Sequence, residues 1–86
     1  MYALEVEEEV DKTFKRLLKK DRKQLEAINK KVKQVLSDPY QFKPLHRPLE
    51  GLRRVHIGHF VLIYKVVEEP ATVILVKYRH HDEAYQ

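Results

Sequence analysis

The chain has 86 residues, no cysteine and a formal net charge of +4. That length admits one domain, residues 1–86, near the size at which a partner that binds the folded state adds materially to stability. Without cysteine there are no disulfide staples and no thiolate metal sites. No apolar run reaches the roughly 18 residues of a membrane helix, and nothing at the start resembles a signal peptide, so a soluble, cytoplasmic protein without membrane contact is expected.

The charge is unevenly spread. Met1 to Asp11 holds five acids and no Lys or Arg, whereas from Lys12 onward 17 basic residues face 8 acidic ones. So much positive charge on a small body favours a polyanionic partner, and the sequence pI of about 9.4 agrees with the footprint of nucleic-acid binding. The plainer reading is a solvated, Lys-rich helix face.

In chain order, Tyr2-Ala-Leu-Glu-Val6 alternates, with Tyr2, Leu4 and Val6 on one side, and predicts a short half-buried strand. Acids then open a helix in which Val10, Phe14, Leu17 and Leu18 fall on one face. Leu25, Ile28, Val32, Val35 and Leu36 repeat the helical spacing after Lys20-Asp21. Asp21 suits the N-cap of this second helix, which makes the pair a hairpin with a tight corner, and Ser37-Asp38-Pro39 stops it. Tyr40 to Gly51 holds two of the four prolines, directly after a third, and predicts an ordered, irregular loop. Leu52 to Ile57 reads as a strand, Gly58-His59 as a two-residue turn, Phe60 to Val67 as the next strand, Glu68 to Ala71 as a turn and Thr72 to Arg79 as the last strand. Val61-Leu-Ile-Tyr64 and Val73-Ile-Leu-Val76 are continuously apolar and predict strands covered on both faces. The expected fold class is α+β, order β-α-α-β-β-β, with a helical hairpin packed on a small, mainly antiparallel sheet.

Two clusters carry chemistry. Arg53-Arg54-Val55-His56-Ile57-Gly58-His59 precedes one apolar strand, and Lys77-Tyr78-Arg79-His80-His81-Asp82-Glu83-Ala84-Tyr85 follows another. Alternation puts Arg54 and His56 on one face of their strand and Lys77, Arg79 and His81 on one face of theirs, and the two sets converge if the strands are neighbours. Imidazoles exchange protons near neutral pH, and guanidinium groups bind phosphate by paired hydrogen bonds. RNA brings its own nucleophile, the 2′-hydroxyl, so a base, an acid and a cation suffice for its cleavage without a metal. Candidate catalytic residues are therefore Arg54, His56, Arg79, His81 and Tyr85, the last as a stacking platform or proton donor. His46, Arg53, His59 and Lys77 are candidate substrate contacts, with ordinary exposure the alternative for His46 and solvent-facing strand positions the alternative for Arg53 and Lys77. His80 and His81 point apart if both lie on a strand, so no metal site and no cofactor are expected. Tyr40, Tyr64 and Tyr78 read as core or sheet aromatics.

The pattern Leu49-Glu-Gly51-Leu-Arg-Arg54-Val-His56-Ile-Gly58-His-Phe60-Val-Leu-Ile-Tyr64, closed by Arg79-His-His81-Asp-Glu-Ala-Tyr85, resembles the RelE/ParE superfamily of toxins from toxin–antitoxin modules, and the resemblance spans the whole chain. It is nearest the RelE and YafQ type. That implies a metal-independent, ribosome-dependent mRNA endoribonuclease that inhibits translation, with the ribosome and mRNA and a cognate RelB-like antitoxin as partners. By position, the basic residues of RelE fall on Arg54, His56 and Arg79 and its terminal Tyr on Tyr85, while the histidines of YafQ fall on His46, His56 and His81. RelE toxins carry an Arg where this chain has Val61, and YafQ has an Asp near His59. Two alternatives stay open: a ParE-like toxin that poisons DNA gyrase without nuclease activity, and an inactive homologue that only binds antitoxin. The grouped proton-transfer residues favour the nuclease.

Overall fold

The computed structural model describes residues 1–46 and 51–83. The elements run β1 (Ala3–Val6), α1 (Glu8–Lys20), α2 (Arg22–Ser37), β2 (Lys43–Pro44), β3 (Leu52–Ile57), β4 (Phe60–Glu68) and β5 (Ala71–His80). They make two helices on one five-stranded sheet of order β1-β5-β4-β3-β2. The sheet is antiparallel except for the parallel β1–β5 pair. Among the described residues, no helix is long and apolar enough to cross a membrane.

Asp21 makes the corner of the helical hairpin. Its N–H donates to the Leu17 carbonyl at 2.8 Å, closing α1, and its carboxylate accepts the Gln24 N–H at 3.1 Å, opening α2. Acids in the first turn of α1 and Lys19 and Lys20 in its last match the helix dipole. The hairpin buries Val10, Ile28, Val32 and Val35 against Val55, Ile57, Leu62, Tyr64, Val73, Leu75 and Tyr78 of the sheet. Leu18 and Leu4, assigned to the apolar faces from spacing, are 48% and 42% exposed. Leu18 lies at the margin of the α1 stripe. Leu4 lies on a strand with a neighbour on one side only, and of the three residues on that face Tyr2 and Val6 are the ones packed against the core.

The opposite sheet face has a smaller seal, in which Val61 and Ile63 are buried beneath Leu45 and Leu52. β4 is therefore covered on both sides, as its unbroken apolar run requires. The loop after α2 differs from the expectation in one respect: Lys43 and Pro44 pair with Arg54 and Arg53 as a short edge strand. It is tied down from below, because the buried Tyr64 hydroxyl donates to the Pro39 carbonyl at 2.6 Å and Arg53 Nη1 donates to the Phe42 carbonyl at 2.8 Å. The Arg53 guanidinium also lies 4.9 Å from the Tyr40 ring centre.

Tyr64→Phe would strand the Pro39 carbonyl inside the fold while keeping the ring. It is expected to destabilise the protein by about 1–3 kcal/mol, read as a lower urea midpoint with unchanged slope. An unchanged midpoint would show that the tether contributes nothing.

Candidate functional site

Cross-strand register decides which side chains share a face. His56 pairs with Val61 and Arg54 with Ile63, and on the other side of β4 Val61 pairs with Arg79 and Ile63 with Lys77. Directly opposed residues point the same way, so Arg54, His56, Lys77 and Arg79 all leave the backbone on the face away from the helices. The two clusters are not on adjacent strands, the condition under which alternation alone would make them converge. β4 lies between them, and its buried Val61 and Ile63 form the floor that separates them.

The β3–β4 turn closes that gap at one end. Gly58 takes a φ of 64°, and His59 has no positive φ, the pattern of a type II′ turn. The His59 carbonyl then accepts the His81 backbone N–H at 2.9 Å, which carries the end of β5 across to the turn. His81 comes near enough to His56 for its charge to bear on that ring. Its Nδ1 lies 3.3 Å from the His59 carbonyl and its Nε2 3.0 Å from Asp82 Oδ1. Both oxygens can only accept, so both contacts are made when the ring carries two N–H groups.

His56 is arranged in the opposite sense. Arg54 Nη1 lies 2.6 Å from His56 Nε2, and a guanidinium can only donate, so Nε2 holds the lone pair and the ring is neutral. Loss of water around the ring first, then the Arg54 cation, then His81, push the His56 pKa below the ordinary 6.5. At the β3 edge beyond β2, Arg54 and His56 join Lys31 of α2 and Lys43 in lining a groove of about 320 Å³. The two lysines were not singled out in the sequence. Lys31 looked like any exposed helix lysine, and Lys43 sits among prolines without periodicity.

Other candidates are placed elsewhere. Arg53, one residue from Arg54, points to the helix side and is used in the Tyr40–Phe42 tether. Arg79 leaves the sheet at the part of β5 that extends past β1. There its Nη1 donates to the Tyr78 carbonyl at 3.2 Å and its Nη2 is ion-paired with Glu9 of α1. The guanidinium thus lines a second groove, of about 510 Å³, with Leu17, Phe60 and Tyr78 on its floor and Arg16 and Lys20 beside them. Lys77 is half-buried and His46 exposed. Tyr85 lies outside the described residues. His80 and His81 do not diverge: the strand ends at His80, a turn closed by Glu83 N–H to the His80 carbonyl at 2.8 Å follows, and the two rings lie 4.7 Å apart.

Comparison with known proteins agrees with this architecture. A family model described as the ParE toxin of the type II toxin–antitoxin system parDE matches residues 1–85. A protein of Methanosarcina mazei is 44% identical over 86 residues, covering 99% of this chain and all of its own. A chain of Methanocaldococcus jannaschii, named as a candidate toxin RelE4, is 41% identical over 87 residues, covering all of this chain and 93% of its own. Among solved structures, the toxin–antitoxin complex RelBE2 of Mycobacterium tuberculosis superposes with a TM-score of 0.78 at 22% identity, over 92% of this chain and 96% of that one. With the family model matched over almost the full length and the fold shared with RelE structures, the chain belongs to the RelE/ParE superfamily of type II toxin–antitoxin toxins.

Proposed function

We propose that this toxin is an endoribonuclease that cuts mRNA on the ribosome without a metal ion and so stops translation. The observation that carries this reading is the pairing of two histidines in opposite hydrogen-bonding states at one end of an open sheet face. His56 has its Nε2 lone pair held by Arg54, and His81 has acceptor oxygens at both nitrogens. A phosphodiester entering the Lys31–Lys43–Arg54 groove engages the Arg54 guanidinium and releases Nε2. His56 then takes the 2′-hydroxyl proton, the 2′-oxygen attacks phosphorus, the bond to the 5′-oxygen breaks, and His81 protonates that oxygen. The product is a 2′,3′-cyclic phosphate. Arg54 binds the charged phosphorane more strongly than the ground state, since charge builds on its oxygens as attack proceeds. Arg79 contributes once a phosphate displaces Glu9, an exposed partner whose pairing is worth at most about 1 kcal/mol. His46, Lys77, His59 and Tyr85 serve as substrate contacts.

The antitoxin we assign to the other face. The groove between the helical hairpin and β5 has an apolar floor of Leu17, Phe60 and Tyr78 with Arg16 and Lys20 alongside. It suits an amphipathic, acidic helix of a RelB-like chain. A ParE-like action on DNA gyrase is the second reading. The engagement of Arg79 with Glu9 leaves room for it, while Val61, which stands where RelE toxins carry an Arg, keeps open an inactive homologue that only binds antitoxin. DNA damage without message cleavage after induction would select the gyrase reading.

Cut sites mapped on translated and untranslated message should show cleavage of the translated one, with cyclic or 3′-phosphate upstream ends, unchanged by chelator and abolished in His81→Ala. Intact cleavage by the His81→Ala/Arg79→Ala double variant would overturn the reading. The acid limb of the pH–rate profile should lie below pH 6.5, because a base with a depressed pKa stays neutral further into acid. Arg54→Gln removes one of the causes of that depression. It should move the limb to higher pH and slow cleavage by about 100-fold, and a limb that stays in place would show that Arg54 does not act on His56.

A further inference from the structure

The turn that follows β5 gathers His80, His81 and Asp82, whose nearest ligand-type atoms all lie within 4.8 Å of one another. The hydrogen bonding of this cluster is unusual. The Asp82 backbone N–H donates to His80 Nδ1 at 3.3 Å, so Nδ1 carries a lone pair, not a proton. Yet Asp82 Oδ2, which can only accept, lies 3.5 Å from that same nitrogen, while Asp82 Oδ1 is 3.0 Å from His81 Nε2. His80 Nδ1, His81 Nε2 and the Asp82 carboxylate thus lie close enough together to share one cation. His80 is held for this role by its neighbours, edge-on to Phe60 at 5.6 Å and stacked on His59 at 6.3 Å between ring centres.

We propose that His80 Nδ1, His81 Nε2 and Asp82 form a binding site for a zinc-class divalent ion. Two imidazoles and one carboxylate are the borderline donor set that such ions prefer, and they leave a fourth position to water. Binding exchanges the proton on His81 Nε2 for the metal and takes the His80 Nδ1 lone pair over from the Asp82 backbone N–H. The site is solvent-exposed, so the ion is exchangeable. Its consequence follows from His81. Resting on the nuclease reading above, occupation removes the acid that protonates the leaving 5′-oxygen, so the ion acts as an inhibitor of cleavage and not as its cofactor.

Titration of zinc chloride into chelator-stripped full-length protein, followed by calorimetry and by cobalt(II) absorption, tests the site directly. One equivalent is expected, with affinity lowered about 100-fold in His80→Asn and in Asp82→Asn and unchanged in His46→Ala. Absence of binding, or equal binding by all variants, would overturn the site. In the cleavage assay zinc should suppress the stripped wild type and chelator restore it, while His80→Asn cuts equally with and without zinc. Cleavage by the zinc-loaded wild type at the full rate would remove the inhibitory role. If the stripped wild type cuts nothing, it is the nuclease reading that fails, and the titration still decides the metal site.

Discussion

β4 has no exposed face from Val61 to Tyr64, and the rest of the structure is arranged around that constraint. Leu62 and Tyr64 must be covered by the helical hairpin, and Val61 and Ile63 by Leu45 and Leu52. A strand so deeply buried also needs hydrogen-bonding partners on both edges, which β3 and β5 supply. The two strands that carry the charged residues are thus fixed at equal distances on either side of an apolar floor. Arg54 and His56 are raised above it and kept out of the core.

The same arrangement separates two kinds of surface. The helix side presents a groove with an apolar floor, edged by Arg16, Lys20 and Arg79 and also by Asp21 and Glu83, suited to a folded partner. The other side presents histidines in an open, positively charged setting, suited to a flexible polyanion. Arg79 stands between them. Its backbone belongs to the open face by register, but its guanidinium is held by Glu9 at the helix side. A partner lying along α1 and a phosphate on the sheet would therefore compete for one cation. On the proposed reading, antitoxin and substrate would oppose each other through that cation.

Much of this was legible in the chain. Leu52 to Ile57, bounded by Gly51 and Gly58, is a strand with the expected bounds. Asp21 caps the helix that its position announces, and Gly58-His59 makes the two-residue turn. What was not legible depends on partners far away in sequence or on where a strand stops. Lys43-Pro44 is too short for any periodicity. The Glu9 pairing of Arg79 spans 70 positions. Arg53 and Arg54 look alike in sequence, yet alternation gives one to the loop tether and the other to the open groove. His80 and His81 were read as diverging strand residues, and the strand ends between them.

The central claim is that His56 and His81 act on one scissile bond as base and acid. A double-mutant cycle on single-turnover cleavage of ribosome-bound message, with His56→Ala, His81→Ala and the pair, measures their coupling most directly. Residues working as one unit give a double variant little slower than either single one. Losses that multiply would mean that the two imidazoles act independently and would contradict the account.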